Sequence, residues 1–174
     1  WNHPALKEKY RGYNPANPDQ PDNTFNWFDA VNGKSAPYDD GSQGTHVTGI
    51  MVGSEPNGSN QIGVAPGAKW ISVKAFNGSI GSTGTQVNLL EAGEWILAPK
   101  DAQGNPHPEK APDIVNNSWG KYLAEIDEWF RPMVQNWRAA EIFPVFSAGN
   151  GAGLSGGRIW NPANYPESFA VGYT

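Results

Sequence analysis

Short β-type runs alternate along this chain with stretches of helical period, and that alternation limits the fold more than any other feature. Phe25 to Val31, Lys69 to Phe76, Asp113 to Trp119, Ile142 to Ala148 and Phe169 to Tyr173 read as strands. Between them, Gly44 to Gly53 reads as a short apolar helix. Thr85 is placed to cap a helix that runs to about Ala98, with Val87, Leu90, Glu91, Glu94 and Leu97 giving it two faces and Trp95 and Ile96 beside the apolar stripe. Ile126, Trp129, Phe130, Met133, Trp137 and Ala140 recur at helical spacing despite Pro132. Strands alternating with helices imply right-handed βαβ units. The expected class is therefore α/β, with three layers: a mainly parallel sheet and helices on both faces.

The segments between these elements are punctuated for turns. Residues 12 to 24 are rich in Pro, Asn and Asp, and Tyr38 to Gly41 reads as a turn. Ser54 to Asn60, the Gly/Ser-rich stretch Asn77 to Gly84, Pro99 to Pro112 and Gly149 to Pro166 read as loops. The 174 residues suffice for one domain with a sizeable core. An apolar fraction of 38% is low for a sheet buried on both faces, and 8 Trp, 7 Phe and 6 Tyr compensate with large area per residue. The net charge of −5 argues against nucleic acid and against an anionic membrane surface as partners. With no Cys, the chain has neither a disulfide nor a thiolate metal site. No apolar run approaches the roughly 18 residues that a membrane-spanning helix needs, and no basic-then-apolar leader opens the chain.

Several segments carry a stronger signal together than alone. In order they are Asn2-His3-Pro4-Ala5-Leu6-Lys7, Gly44-Thr45-His46-Val47-Thr48-Gly49, Gly63-Val64-Ala65-Pro66-Gly67-Ala68, Val73-Lys74-Ala75-Phe76, Asp113-Ile114-Val115-Asn116-Asn117-Ser118-Trp119-Gly120, Ser147-Ala148-Gly149-Asn150 and Asn161-Pro162-Ala163-Asn164-Tyr165-Pro166. This series resembles the subtilisin-like serine protease family over nearly the whole chain. The resemblance implies secretion and an extended peptide or protein substrate. It implies that Asn150 donates its amide to an oxyanion and that Ser118, Trp119 and Gly120 pair with substrate as an added strand. It further implies that the edge near Ser79 to Ser82 pairs on the other side. Ala148 and Gly149 would line a specificity pocket with room for a large side chain.

The departures from the family pattern decide the expected activity. The family's general-base histidine falls at Gln43, just before Gly44-Thr45-His46. An amide has no lone pair that titrates near neutrality, so it cannot take a proton from a serine hydroxyl. The family's aspartate turn would lie ahead of Trp1, and its Gly-Thr-Ser-Met-Ala nucleophile motif does not occur by Thr174. The expectation is thus an incomplete, catalytically inactive domain over residues 1–174 of a secreted serine endopeptidase, which Gln43→His alone does not revive. A non-catalytic peptide-binding module is the alternative. Whether Gln43 is native, engineered or misread stays open.

Other residues have blander readings. His46 is expected to face the structure rather than replace the base, and His3 and His107 are expected to be loop residues. Asp39-Asp40 reads as a solvated turn, because adjacent side chains tend to point apart. Glu55, Asn57, Asn60 and the carbonyls of Ser54 to Ile62 are hard oxygen ligands that calcium favours, but a satisfied polar loop is the preferred reading and no metal ligand is assigned. The aromatic stripe Trp129, Phe130, Met133, Trp137 reads as core, with a carbohydrate-binding face as the minor alternative. An incomplete sheet would expose an edge and an apolar face, so self-association and marginal stability are expected.

Overall fold

The computed structural model describes residues 1–78, 85–151 and 157–173. They form two compact units, Trp1–Lys110 and Ala111–Thr174, whose boundary falls in the Pro-punctuated loop.

In the first unit, helix α1 (Pro4–Lys7) starts on a proline, whose missing N–H costs nothing in a first turn. Its cap is His3, which accepts a hydrogen bond on Nδ1 from the Ala5 N–H at 3.2 Å. Strand β1 (Trp27–Asp29) pairs in parallel with β2 (Ser72–Lys74), with Phe28 opposite Val73. Helix α2 (Gln43–Val52) lies between them in sequence and packs on α1. Helix α3 (Gln86–Leu97) packs on both strands. Thr85 caps α3 as expected, accepting from the Asn88 N–H at 3.1 Å.

The buried face of α3 differs from the expected stripe. Leu89, Ala92, Gly93 and Trp95 are buried, whereas Val87 is exposed. Trp95 sets the rotation: its ring stacks on Phe28 at 5.8 Å, and small Ala92 and Gly93 let the helix approach. Burying the largest ring removes more apolar area than burying Val87 would. A second aromatic cluster joins Tyr10 to Trp70 at 4.7 Å, and the Trp70 indole donates to the Leu6 carbonyl at 3.0 Å.

In the second unit, β3 (Ile114–Asn117), β4 (Phe143–Ser147) and β5 (Phe169–Val171) form a parallel sheet in that order. The pairings β1–β2, β3–β4 and β4–β5 are all parallel, as the βαβ reading requires. The strands lie in two sheets, one in each unit. Helix α4 (Arg131–Ala139) follows a 3₁₀ turn at Glu128–Phe130. Pro132 sits in the first turn of α4, which explains why the helical period survives it. Ile126 precedes the helix and is exposed, so the stripe begins later than its spacing implies. Phe130, Met133, Val134 and Trp137 are buried, and Trp137 lies 6.4 Å from Phe146. Phe130, Met133 and Trp137 are core, as expected, whereas Trp129 is only half-buried. Arg131 fastens the helix to Glu167 at 3.1 Å, which holds the Glu167 carboxyl down at about 2.

Candidate active site

Parallel strands leave their carboxyl ends on one side of a sheet, and ligands of α/β proteins bind just outside those ends. Register pairs Asn117 of β3 with Phe146 of β4. Ser118-Trp119-Gly120 and Ala148-Gly149-Asn150 therefore leave neighbouring strand ends together. Ser118 is exposed and accepts from the Asn116 amide at 2.9 Å. The Trp119 ring turns inward, edge-on to Phe130 at 5.2 Å and to Phe146 at 5.7 Å. Its indole donates to Asn117 Oδ1 at 3.1 Å. Trp119 thus anchors the segment through its side chain.

Buried Asn117 ties the two strand ends together. Besides accepting from Trp119, it donates through Nδ2 to the Val145 carbonyl at 3.2 Å. On the β4 side, the Ala148 N–H donates to the Val171 carbonyl at 2.8 Å, and the Gly149 N–H to Ser147 Oγ at 3.3 Å. Gly149 has φ of +99°, a backbone that side-chain-bearing residues rarely adopt. Asn150 follows in a bend with its amide exposed. An exposed amide donor beyond a fixed glycine turn is suited to meeting a developing oxyanion.

A second segment closes this arrangement. Lys121 and Asn161 exchange backbone hydrogen bonds at 2.8 and 3.1 Å, and the Trp160 N–H donates to the Ala148 carbonyl at 3.1 Å. The buried Asn161 side chain accepts from the Asp127 N–H at 2.9 Å. The Tyr165 hydroxyl donates to the Asp127 carbonyl, and burial pushes its pKa up to about 12.

Gln43 lies in the first unit as the first residue of α2, with its side chain exposed. Ser42 precedes it at φ of 63° and makes no side-chain cap. Asp39 does that work instead. Its Oδ1 accepts from the N–H of Gly41 at 3.0 Å and of Ser42 at 2.8 Å. Its Oδ2 accepts from the Thr45 N–H at 2.8 Å and the Thr45 hydroxyl at 2.6 Å. Burial opposes charge on Asp39, but these donors outweigh it and hold its pKa below the usual carboxylate range. Asp40 points away to Lys74 at 2.5 Å. The two aspartates therefore do separate structural work and do not act as an acid/base pair.

The remaining sequence expectations resolve individually. His46 is exposed rather than packed inward. His107 sits between Glu109 at 2.9 Å and Asp101 at 3.3 Å, and these carboxylates raise its pKa. In the loop from Ser54 to Asn60, Glu55 accepts from the Ser59 hydroxyl at 2.6 Å and the Asn60 amide at 3.0 Å, and Asn57 accepts from the Ser59 N–H at 2.9 Å. The hard oxygens there are engaged with one another. The edge expected at Ser79 to Ser82 lies outside the described residues.

Residues 1–174 match the subtilase family along their whole length. The chain belongs to the subtilase family. This subtilase chain is 68% identical to Bacillopeptidase F of Bacillus subtilis over its full length, which is 12% of that protein. It is 31% identical to the minor extracellular protease Epr of the same organism, over 82% of the chain and 19% of Epr. It thus spans less than a fifth of either relative. Among solved structures, the prenylagaramide maturation protease PagA matches 75% of the chain and 42% of its own, with a TM-score of 0.57 at 22% identity, which shows the α/β fold alone.

Several working residues of this subtilase escape a reading of its sequence. Asn117, Trp160 and Asn161 act through contacts with residues distant in sequence. Asp39 had a local signal, since an acidic residue just before a helix is a cap candidate.

Proposed function

We propose that this chain is part of a secreted serine endopeptidase and contributes the peptide-binding groove and the oxyanion donor. The observation that carries this reading is the joint exit of Ser118-Trp119-Gly120 and Ala148-Gly149-Asn150 from adjacent parallel strands. An extended peptide adds as a strand along the backbone of Ser118 to Gly120. Asn150 donates its amide to the carbonyl oxygen of the scissile bond as negative charge develops there. Small Ala148 and Gly149 let the peptide backbone approach. Export is supported by the likeness to Epr, a minor extracellular protease. No helix among the described residues is long and apolar enough to cross a membrane.

Gln43 favours a second reading, a groove that holds peptide without cutting it. Residue 43 occupies the family's base position, and its amide cannot activate a serine. Bound calcium is not required by either reading. The experiment is to offer the protein an extended peptide and a fluorophosphonate serine probe in parallel. Stoichiometric peptide binding without label or cleavage supports the binding groove with an inactive base position. Label together with cleavage shows a working triad and overturns the inactivity of the chain. Absence of any peptide binding overturns the groove itself.

A further inference from the structure

The space between the two groove segments is not empty. A β-carbon built on Gly149 would lie 2.4 Å from Cγ and from Cδ2 of Trp160, and 2.6 Å from its Cδ1. The five-membered ring of the indole therefore rests directly on the Gly149 backbone. A β-carbon on Gly120 would lie 3.4 Å from Trp160 Cβ, 3.6 Å from its Cε3, and 3.1 Å from the Asn161 carbonyl oxygen. The same side chain thus spans from Gly149 to Gly120, across the gap between the two segments that flank the proposed peptide. Both positions lack a β-carbon, and the indole uses that room.

The backbone pins this seat. The Trp160 N–H donates to the Ala148 carbonyl at 3.1 Å, and Asn161 is paired with Lys121 on the other side. The indole N–H, by contrast, is buried and has no partner among the described residues. Among the described residues, shape and backbone attachment hold the ring, and no hydrogen bond of its own does.

Resting on the groove reading above, we infer that Trp160 fills the primary side-chain pocket and restricts the residue on the acyl side of the target bond to Gly, Ala or Ser. A peptide lying along Ser118 to Gly120 sends one side chain toward the gap beside Gly149. There it meets the indole instead of open volume. A small side chain fits against the ring, whereas a Phe or Leu side chain requires the ring to leave. Gly149, which with Ala148 implies a roomy pocket when read from sequence, serves here together with Gly120 to admit an aromatic ring of the chain itself.

The test uses the whole chain and two acetylated tetrapeptide amides that differ only in a final Ala or Phe, with binding followed by calorimetric titration. The unmodified protein is expected to bind the Ala peptide about tenfold more tightly, the discrimination that a few methylenes in a closed pocket supply. Trp160→Ala is expected to erase or reverse that ratio, while Trp160→Phe, which keeps the seat filled, retains it. Circular dichroism establishes that each variant is folded. Equal binding of both peptides by the unmodified protein, or a ratio unchanged in Trp160→Ala, overturns the role of Trp160 and leaves the groove standing. No binding of either peptide to any of the proteins overturns the groove and this inference with it.

Discussion

Gly149→Ala probes the wall of the site where the structure gives a definite magnitude. At φ of +99° an alanine is strained whatever surrounds it, at a cost of about 1–3 kcal/mol. Its methyl would also stand 2.4 Å from two ring atoms of Trp160. Relief requires the indole or the β4 end to shift, an overpacking cost of about 1–3 kcal/mol. The sum is about 2–6 kcal/mol, which for a chain of this size lowers the melting temperature by roughly 5–20 °C. Thermal unfolding followed by near-ultraviolet circular dichroism reads it directly, since Trp160 is part of the signal. The two contributions separate in a double-mutant cycle. In a Trp160→Ala background the overlap is gone and only the backbone strain remains, so Gly149→Ala is expected to cost about 1–3 kcal/mol less there. An equal cost in both backgrounds would refute the placement of the indole on Gly149 and the pocket argument built on it.

Other sites give further expectations. Asp39→Ala removes the acceptor that gathers the start of α2 and is expected to cost about 1 kcal/mol, little for so many hydrogen bonds because the group is largely exposed. The Asp39 pKa is lowered in the folded protein, so its contribution is present above the unfolded value near about 3.9 and is lost as pH falls through the folded one; acid titration of stability in Asp39→Ala should be flatter in that window. His107 has the opposite sign: its folded pKa is raised by Glu109 and Asp101, so its contribution is present below about pH 6.5 and lost as pH rises through the folded value. His107→Gln should abolish that alkaline loss, and an unchanged pH profile would count against the clasp. Gln43→His is expected to leave the unfolding free energy within about 0.5 kcal/mol of the original, because an exposed side chain is being exchanged. Ile114, Phe143 and Phe169 share one face of the second sheet and are exposed, so sedimentation velocity should show concentration-dependent association that Phe169→Lys weakens.

The α/β class was legible because its signal is local. Thr85 caps a helix within its own four residues, and the strand runs at Asp113 and Ile142 carry their period on their face. The rotation of α3 was not legible, since Val87 and Leu90 look as apolar as Leu89 until Phe28 offers Trp95 a stacking partner. Motifs put Ser118 to Gly120 and Asn150 at or just beyond strand ends, where the structure has them, because those strands are themselves local. They could not reveal that Trp119 turns inward, nor that Trp160 lies on Gly149. Those facts depend on residues ten or more positions apart being brought together by the sheet.

Position 43 shows how far fold and chemistry can part in such a chain. The turn that presents it is fixed by Asp39 through Gly41, Ser42 and Thr45, and by the left-handed backbone of Ser42. None of those contacts uses the side chain of residue 43. The helix after it is held by its own ladder and by the burial of Val52 at its far end. A base or an amide can therefore occupy the position at nearly equal stability. The architecture exerts no pressure to keep a histidine there, and only the need to move a proton does. The groove behaves differently: Asn117, Trp119 and Trp160 are built into the packing of the second unit, so whatever peptide recognition they supply is retained wherever the fold is retained. On the proposed reading, loss of the base without loss of the groove is the change that this scaffold tolerates best, and peptide binding is the property to measure first.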